Sequence, residues 1–382
     1  MKQILFRCRF PATLVLLSGL VLSVLTATQQ QASAVELVYG TWASPRHSAM
    51  RMGMNQYLKA VNAESKGAVT WNSIAGGQLV DGKGTLQALQ SGLIDGGFVI
   101  APYTPSHLPA SALVFNSTKF GSDSVAAAGA MNEVLLMTCP ECISEAKRNG
   151  IIQLGSYAAT PFVFMCRGKP QTLADLKGKK IRSVGGGVPL VRLADAIPVA
   201  MSPAEATQAL QRGALDCVHG APSFLVSFGY IDVVHTIFTY PLGIGGPTTF
   251  LALSRKKWSG LSRAQKAIHV KHAARFVAQS TIEAYMLNDE KVLARAKQKG
   301  IALLPGGKDF DALVDKRLAS MDGPNVASAM KFGVKNPKEI VSAYARAFKK
   351  WQGLSKDIGT DVEKFSAALT REIYGKLDPD KI

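Results

Sequence analysis

The mostly apolar run ELVYGTWA (residues 36–43), with Tyr39 and Trp42, reads as a strand, and Ser44 and Pro45 end it. Met50, Met54, Tyr57, Leu58 and Val61 then recur at helical spacing, which predicts a helix over 50–63. AVTWNSI (68–74) reads as a second strand. Asp81 is placed to cap a helix over 82–91, closed by Gly92, and LIDGGFVIA (93–101) is a third strand that opens into the loop PYTPSHLPA. The alternation restarts near Ile151. GIIQLGSYA (150–158) and TPFVFMCR (160–167) are apolar strands, LADLKG (173–178) is a short helix, and KKIRSVGGG (179–187) is a strand ending in three glycines. PLVRLADAI (189–197) is helical. So is SPAEATQALQRG (202–213), with Ser202 as cap, Pro203 in the first turn, Glu205 three residues after the cap and Gly213 as stop. ALDCVHGAP (214–222) is a further strand running into a loop.

Strand, helix, strand, helix at this spacing predicts an α/β fold built on mostly parallel sheets, in two units that face one another across a cleft. In such sheets ligands sit beyond the carboxyl ends of the strands. Those ends carry Trp42 and His47, the Gly76-Gly77-Gln78 turn, and Tyr103 in the first unit; in the second they carry Arg182 beside Gly185–Gly187, then His219, Ser223 and Phe224. Trp42 and Tyr103 would supply the flat apolar walls that small-molecule pockets need. From Ser262 to Gly300 the positions Ile268, Phe276, Val277, Ile282, Tyr285, Met286, Val292 and Leu293 keep helical spacing with no proline between them. Roughly 37 helical residues span about 55 Å, so this helix is expected to brace two domains. The remainder, to Ile382, reads as helical and basic, with breaks near Pro305, Pro324 and Pro337.

The first 34 residues change the setting. Lys2, Arg7 and Arg9 precede an apolar run over 12–27, and Ala32-Ser33-Ala34 follows a glutamine stretch, the three parts of a secretory leader. An uncleaved membrane anchor is the other reading, and Cys8 precedes the run, so it is not a lipid-bearing cysteine. The mature chain is expected to begin near Val35, in the periplasm. The formal charge of +17, from 44 basic and 27 acidic residues, becomes +14 without the leader, and 11 of those charges fall in residues 255–382. An exported protein meets no chromosome, so nucleic acid is not expected as a partner. Six histidines lack metal-ligand spacing, so neither a metal site nor a cofactor is expected.

Four segments carry a family likeness. GGQLVDGKGTLQALQSGLIDGG (76–97), LADLKGKKIRSVGG (173–186), SPAEATQALQRGALDCVHGAP (202–222) and the long helix after Ser262 stand in the order found in the solute-binding proteins of tripartite ATP-independent periplasmic (TRAP) transporters, the DctP family, which the mature chain resembles along most of its length. The resemblance implies a two-lobed periplasmic binding protein with a hinge-spanning helix. It implies a leader over 1–34, lobe I over 35–157 and 248–288, lobe II over 158–247 and 289–345, and a C-terminal helical extension over 346–382. Such a protein closes on a small organic acid and delivers it to the small and large membrane subunits of the transporter; it is not an enzyme. The resemblance assigns Arg182 to the ligand carboxylate, a role suited to a planar guanidinium, with Gly186 at the close backbone approach. The other reading of Arg182 is a surface pair with Asp175 or Asp195. Around it the chain departs from the family pattern, with Tyr157–Pro161 lacking a second arginine and Val218–Pro222 lacking an asparagine. Those departures favour a monocarboxylate with an apolar or aromatic body.

The cysteines admit a rival. Cys139 and Cys142 form a C-x-x-C, which in an exported chain raises a thiol-disulfide oxidoreductase, although the segment before it reads as a helix and a local disulfide is the simpler account. Cys166 and Cys217 either pair or remain buried thiols. No G-x-S-x-G is present to suggest a hydrolase.

Overall fold

The computed structural model describes residues 34–117, 122–246, 248–320 and 322–382; the expected leader lies outside them. The strands, in chain order, are β1 (Val35–Gly40), β2 (Val69–Ile74), β3 (Gly96–Val99), β4 (Ile151–Tyr157), β5 (Val163–Cys166), β6 (Lys180–Arg182), β7 (Ile197–Val199), β8 (Cys217–Gly220), β9 (Thr236–Phe238), β10 (Thr248–Ser254) and β11 (Ala302–Leu304). They form two sheets, ordered β2-β1-β3-β10-β4 and β11-β9-β5-β8-β6-β7. Helices cover their faces, so β4, β5 and β10 are buried along their whole length.

The sheets are mixed, which corrects the expectation of mostly parallel pairing. β1 runs parallel to β2 and β3, whereas β10 is antiparallel to both β3 and β4. In the second sheet β6 is parallel to β7 and β8, and β5 is antiparallel to β8 and β9. The reversed strands, β5 and β10, are the two that follow a passage from one sheet to the other with no helix in it. Those passages pair with each other: Ala159 N donates to Gly245 O, Phe162 N to Gly243 O, and Pro161 bridges Ile244. A strand entering from the neighbouring sheet arrives without the helical crossover that keeps strands parallel.

Helical caps follow local chemistry. Ser202 and Glu205 form a reciprocal capping box for Pro203–Gln211, as their spacing requires. Asp81 is different. Its Oδ1 accepts from Lys83 N at 3.0 Å and Gly84 N at 2.6 Å within a turn, and the helix begins only at Thr85, because the glycines at 82 and 84 favour the turn over a helical start. β7 and β11 are short strands, β11 in a segment expected to be helical and β7 at the end of one; each gains its form from a parallel neighbour, β6 and β9 respectively. The break expected near Pro324 falls at Ser320, between Lys308–Ala319 and Asp322–Lys331, and Pro324 itself occupies the first turn of the second helix, where no intrahelical donor is lost.

The long helix comprises Arg263–Thr281, a π-helical stretch Ile282–Leu287, and Asn288–Gln298. It starts on β4 of the first sheet, and the chain after it enters β11 of the second. Helix Pro337–Ile358 returns to the first sheet's side and packs on Ser124–Glu133, where a Cβ on Gly129 would lie 2.1 Å from the Trp351 ring. Part of the basic excess acts here: Lys350 bridges Glu133 and Glu372 at 3.0 Å each. Both cysteine pairs are disulfide-bonded. Cys139–Cys142 closes the N-terminus of Pro140–Arg148, and Cys166–Cys217 joins facing residues of β5 and β8.

Asp289, 4% exposed, follows the π-helical stretch and accepts a hydrogen bond from Thr160 Oγ1 in the first passage. Burial pushes its carboxyl up to about 7, against the pull of that hydrogen bond. A carboxyl with a folded pKa above its unfolded value, about 4, holds its proton more tightly when folded. The stability it contributes is complete below pH 4 and is lost as pH rises through 7. Asp289→Asn removes this titration, so its melting temperature relative to the parent should climb between pH 5 and pH 8. A pH-independent difference in a melting series would refute the assignment.

Candidate functional site

β1 and β3 end side by side, which brings Trp42 over Phe98 with ring centroids 4.6 Å apart; Trp42 Nε1 donates to Phe98 O at 3.3 Å. Tyr103, in the turn after β3, tilts against Trp42 at 6.1 Å. His47 is buried, stacked on Phe250 at 5.4 Å and edge-on to Phe228 at 5.6 Å, and its Nδ1 accepts from Ala49 N. Burial lowers its pKa to about 3, so it is a neutral wall rather than a cation.

Arg182 ends β6 with 2% of its surface exposed. Its Nε donates to Met201 O at 2.8 Å, Nη1 to His219 O at 3.3 Å, and Nη2 to Tyr103 Oη at 3.3 Å. Those acceptors are all neutral, and neither Asp175 nor Asp195 is among them. A guanidinium has five N–H groups, so these three bonds leave one N–H uncommitted on each terminal nitrogen. The same cation, after burial, helps to hold His219 neutral, with a pKa near 3. His219 Nδ1 lies 3.0 Å from Ser183 Oγ.

These residues converge on one aromatic-walled cavity. Trp42, His47, Tyr103, Arg182 and Phe224 line it together. Gly186 and His219 line an adjoining space of about 380 Å³, which shares Phe115, Phe162, Val184 and Gly245 with the first and has Arg317 on its far wall. A third space lies beside Tyr103 and has Asp81, Lys83, Ser202 and Glu205 among its lining residues. The glycines matter for room: a Cβ on Gly187 would sit 2.4 Å from Ser183 Oγ and 2.6 Å from His219 Nδ1.

Gln78 does not join this group. The turn after β2 folds back through Gly76 N to Ala43 O and Gly77 N to Thr41 O, both glycines with positive φ, and leaves Gln78 exposed on the flank of the edge strand. Phe98, Phe115, Tyr157, Phe162, Phe228 and Tyr285 also line the cavity and were not singled out from the sequence. Phe98, Tyr157 and Phe162 lie at or beside strand ends already read as such, and that position was the available signal. Tyr285 was visible only as one apolar place in a helical period.

The Cys139–Cys142 pair is remote from these spaces, and its two residues are 2% and 0% exposed. A dithiol couple must present a sulfur to its substrate. This one presents none.

A family model described as bacterial extracellular solute-binding protein, family 7 (DctP), matches residues 39–312. Among solved structures, a TRAP periplasmic solute-binding protein from Bordetella bronchiseptica with bound (R)- and (S)-mandelate is 21% identical, covers 83% of this chain and 99% of its own, and has a TM-score of 0.69. A TRAP solute-binding protein from Rhodoferax ferrireducens in complex with copurified benzoate is 17% identical, covers 84% and 100%, and has a TM-score of 0.74. An extracytoplasmic solute receptor of Bordetella pertussis that binds pyroglutamic acid is 16% identical, with 82% and 100% covered and a TM-score of 0.69. These likenesses establish the shared fold.

Proposed function

The chain belongs to the bacterial extracellular solute-binding proteins of family 7, and on that premise we propose that it is the periplasmic receptor of a TRAP transporter, capturing a small monocarboxylate with an apolar or aryl body. The observation that carries this reading is Arg182: a buried guanidinium, bonded only to neutral oxygens, facing a cavity walled by aromatic rings. The bound mandelate and benzoate of the two relatives are of the same chemical class. Residues 1–34 act as the leader that delivers the chain to the periplasm.

Lobe I corresponds to residues 35–157 and 248–288, and lobe II to 158–247 and 289 onward. The C-terminal extension starts at Pro337, since helix Pro337–Ile358 crosses residue 345 unbroken. Ligand carboxylate on Arg182 and ligand body on Trp42 and Phe98 join the two lobes, which biases the closed form by differential affinity. The closed form is what the membrane subunits accept. No bond is made or broken in the ligand.

A thermal-shift screen of the mature protein tests the ligand class. Benzoate, mandelate or a similar monocarboxylate at about 100 times its Kd should add about 2.7 kcal/mol of stability and raise the melting temperature. Stabilisation by dicarboxylates alone would overturn the reading.

A further inference from the structure

Tyr157 closes β4, and Tyr285 lies in the π-helical stretch of the long helix. Both rings line the inner cavity, are at most 2% exposed, and stack at 4.9 Å with their hydroxyls 2.9 Å apart. Two hydroxyls carry two protons, and the bond between them uses one. Among the described residues neither oxygen has another hydrogen-bond partner, so one proton and several lone pairs remain. Burial raises both phenols above their ordinary pKa, so they stay protonated donors.

Of the other polar groups of this cavity, Trp42 Nε1 donates to Phe98 O, His47 Nδ1 accepts from Ala49 N, and Tyr103 Oη accepts from Arg182. The tyrosine pair is held by β4 and the long helix, whereas Arg182 is held by β6, β8 and Tyr103, and no residue hydrogen-bonded to Arg182 stacks on either tyrosine. The tyrosine pair and Arg182 are thus two polar points of the cavity held by different elements. An all-apolar ligand body would leave the spare hydroxyl proton buried without an acceptor, which costs more than a neutral bond gains.

We infer that the Tyr157–Tyr285 pair is a second polar subsite, and that the ligand carries a hydroxyl or oxo oxygen on its apolar body, away from the carboxylate. This rests on the carboxylate reading of Arg182 and narrows it.

Calorimetric titration of the mature protein with benzoate, 3-hydroxybenzoate and 4-hydroxybenzoate tests it, using the parent, Tyr157→Phe, Tyr285→Phe and the double variant. In the parent at least one hydroxybenzoate should bind about fivefold to tenfold more tightly than benzoate, the worth of one neutral hydrogen bond. In the double variant the hydroxybenzoate-to-benzoate affinity ratio should fall to about one, a selectivity change that a merely structural role for the rings would not cause. Equal binding of all three by the parent overturns the inference and leaves the carboxylate reading standing, and it does so even if the double variant does not fold. A hydroxyl advantage that survives in the double variant also overturns it. Failure of all three to bind overturns both.

Discussion

Arg182→Ala is expected to weaken carboxylate binding by about 2–5 kcal/mol, roughly 30-fold to several-thousand-fold, because it strands a desolvated carboxylate in an aromatic cavity. Arg182→Lys keeps the charge and should still cost about tenfold or more. An ammonium is a point donor, and it cannot hold Met201 O, His219 O and Tyr103 Oη while presenting two parallel N–H groups. Calorimetry on the two variants checks both statements, with the ligand-free melting temperature as control. The three lost hydrogen bonds and the relief of a buried charge act in opposite directions on the unliganded fold, so that temperature should move little. Wild-type affinity in Arg182→Lys would reject the role assigned to the guanidinium.

Replacing Cys166 and Cys217 by alanine should produce the larger of two unequal losses of stability. The bond joins facing positions of β5 and β8 across 51 residues of chain, and closing a loop of that length restricts the unfolded chain by about 4 kcal/mol. Cys139 and Cys142 are three residues apart, and the same loop argument gives only about 2 kcal/mol. The second-sheet double variant should therefore melt several degrees below the helix-terminal one. Equal or reversed losses in parallel thermal melts would show that the cross-links act through local geometry rather than chain entropy.

The charge that dominates the composition bears little on the ligand. Of the residues lining the inner cavity only Arg182 is a cation, whereas Lys350, Lys266 and Arg263 in the basic C-terminal third are engaged with Glu133, Glu372, Asp378 and Asp380 in fastening the last helices to the first sheet's side. Of the residues chosen from strand ends, five meet in one cavity and two in the space beside it, while Ser223 is fully buried and lines neither. Gln78 falls outside, because the position of its turn depends on where the loop after β1 lies, a contact more than thirty residues away.

What the sequence determined alone is what neighbouring residues settle between themselves. Hydrophobic period marked the main strands and the long helix; Ser202 with Glu205 set a helix start; the order of four segments carried the family likeness. The tertiary structure decided pairing and convergence. β10 enters antiparallel between β3 and β4, Arg182 meets Tyr103 across 79 positions, and Tyr157 meets Tyr285 across 128. Periodicity tells which face of an element is apolar, but not which distant element will cover it. That choice is made by packing and hydrogen bonding among residues with no local relation, and it turned a set of apolar positions into an aromatic cavity around one arginine.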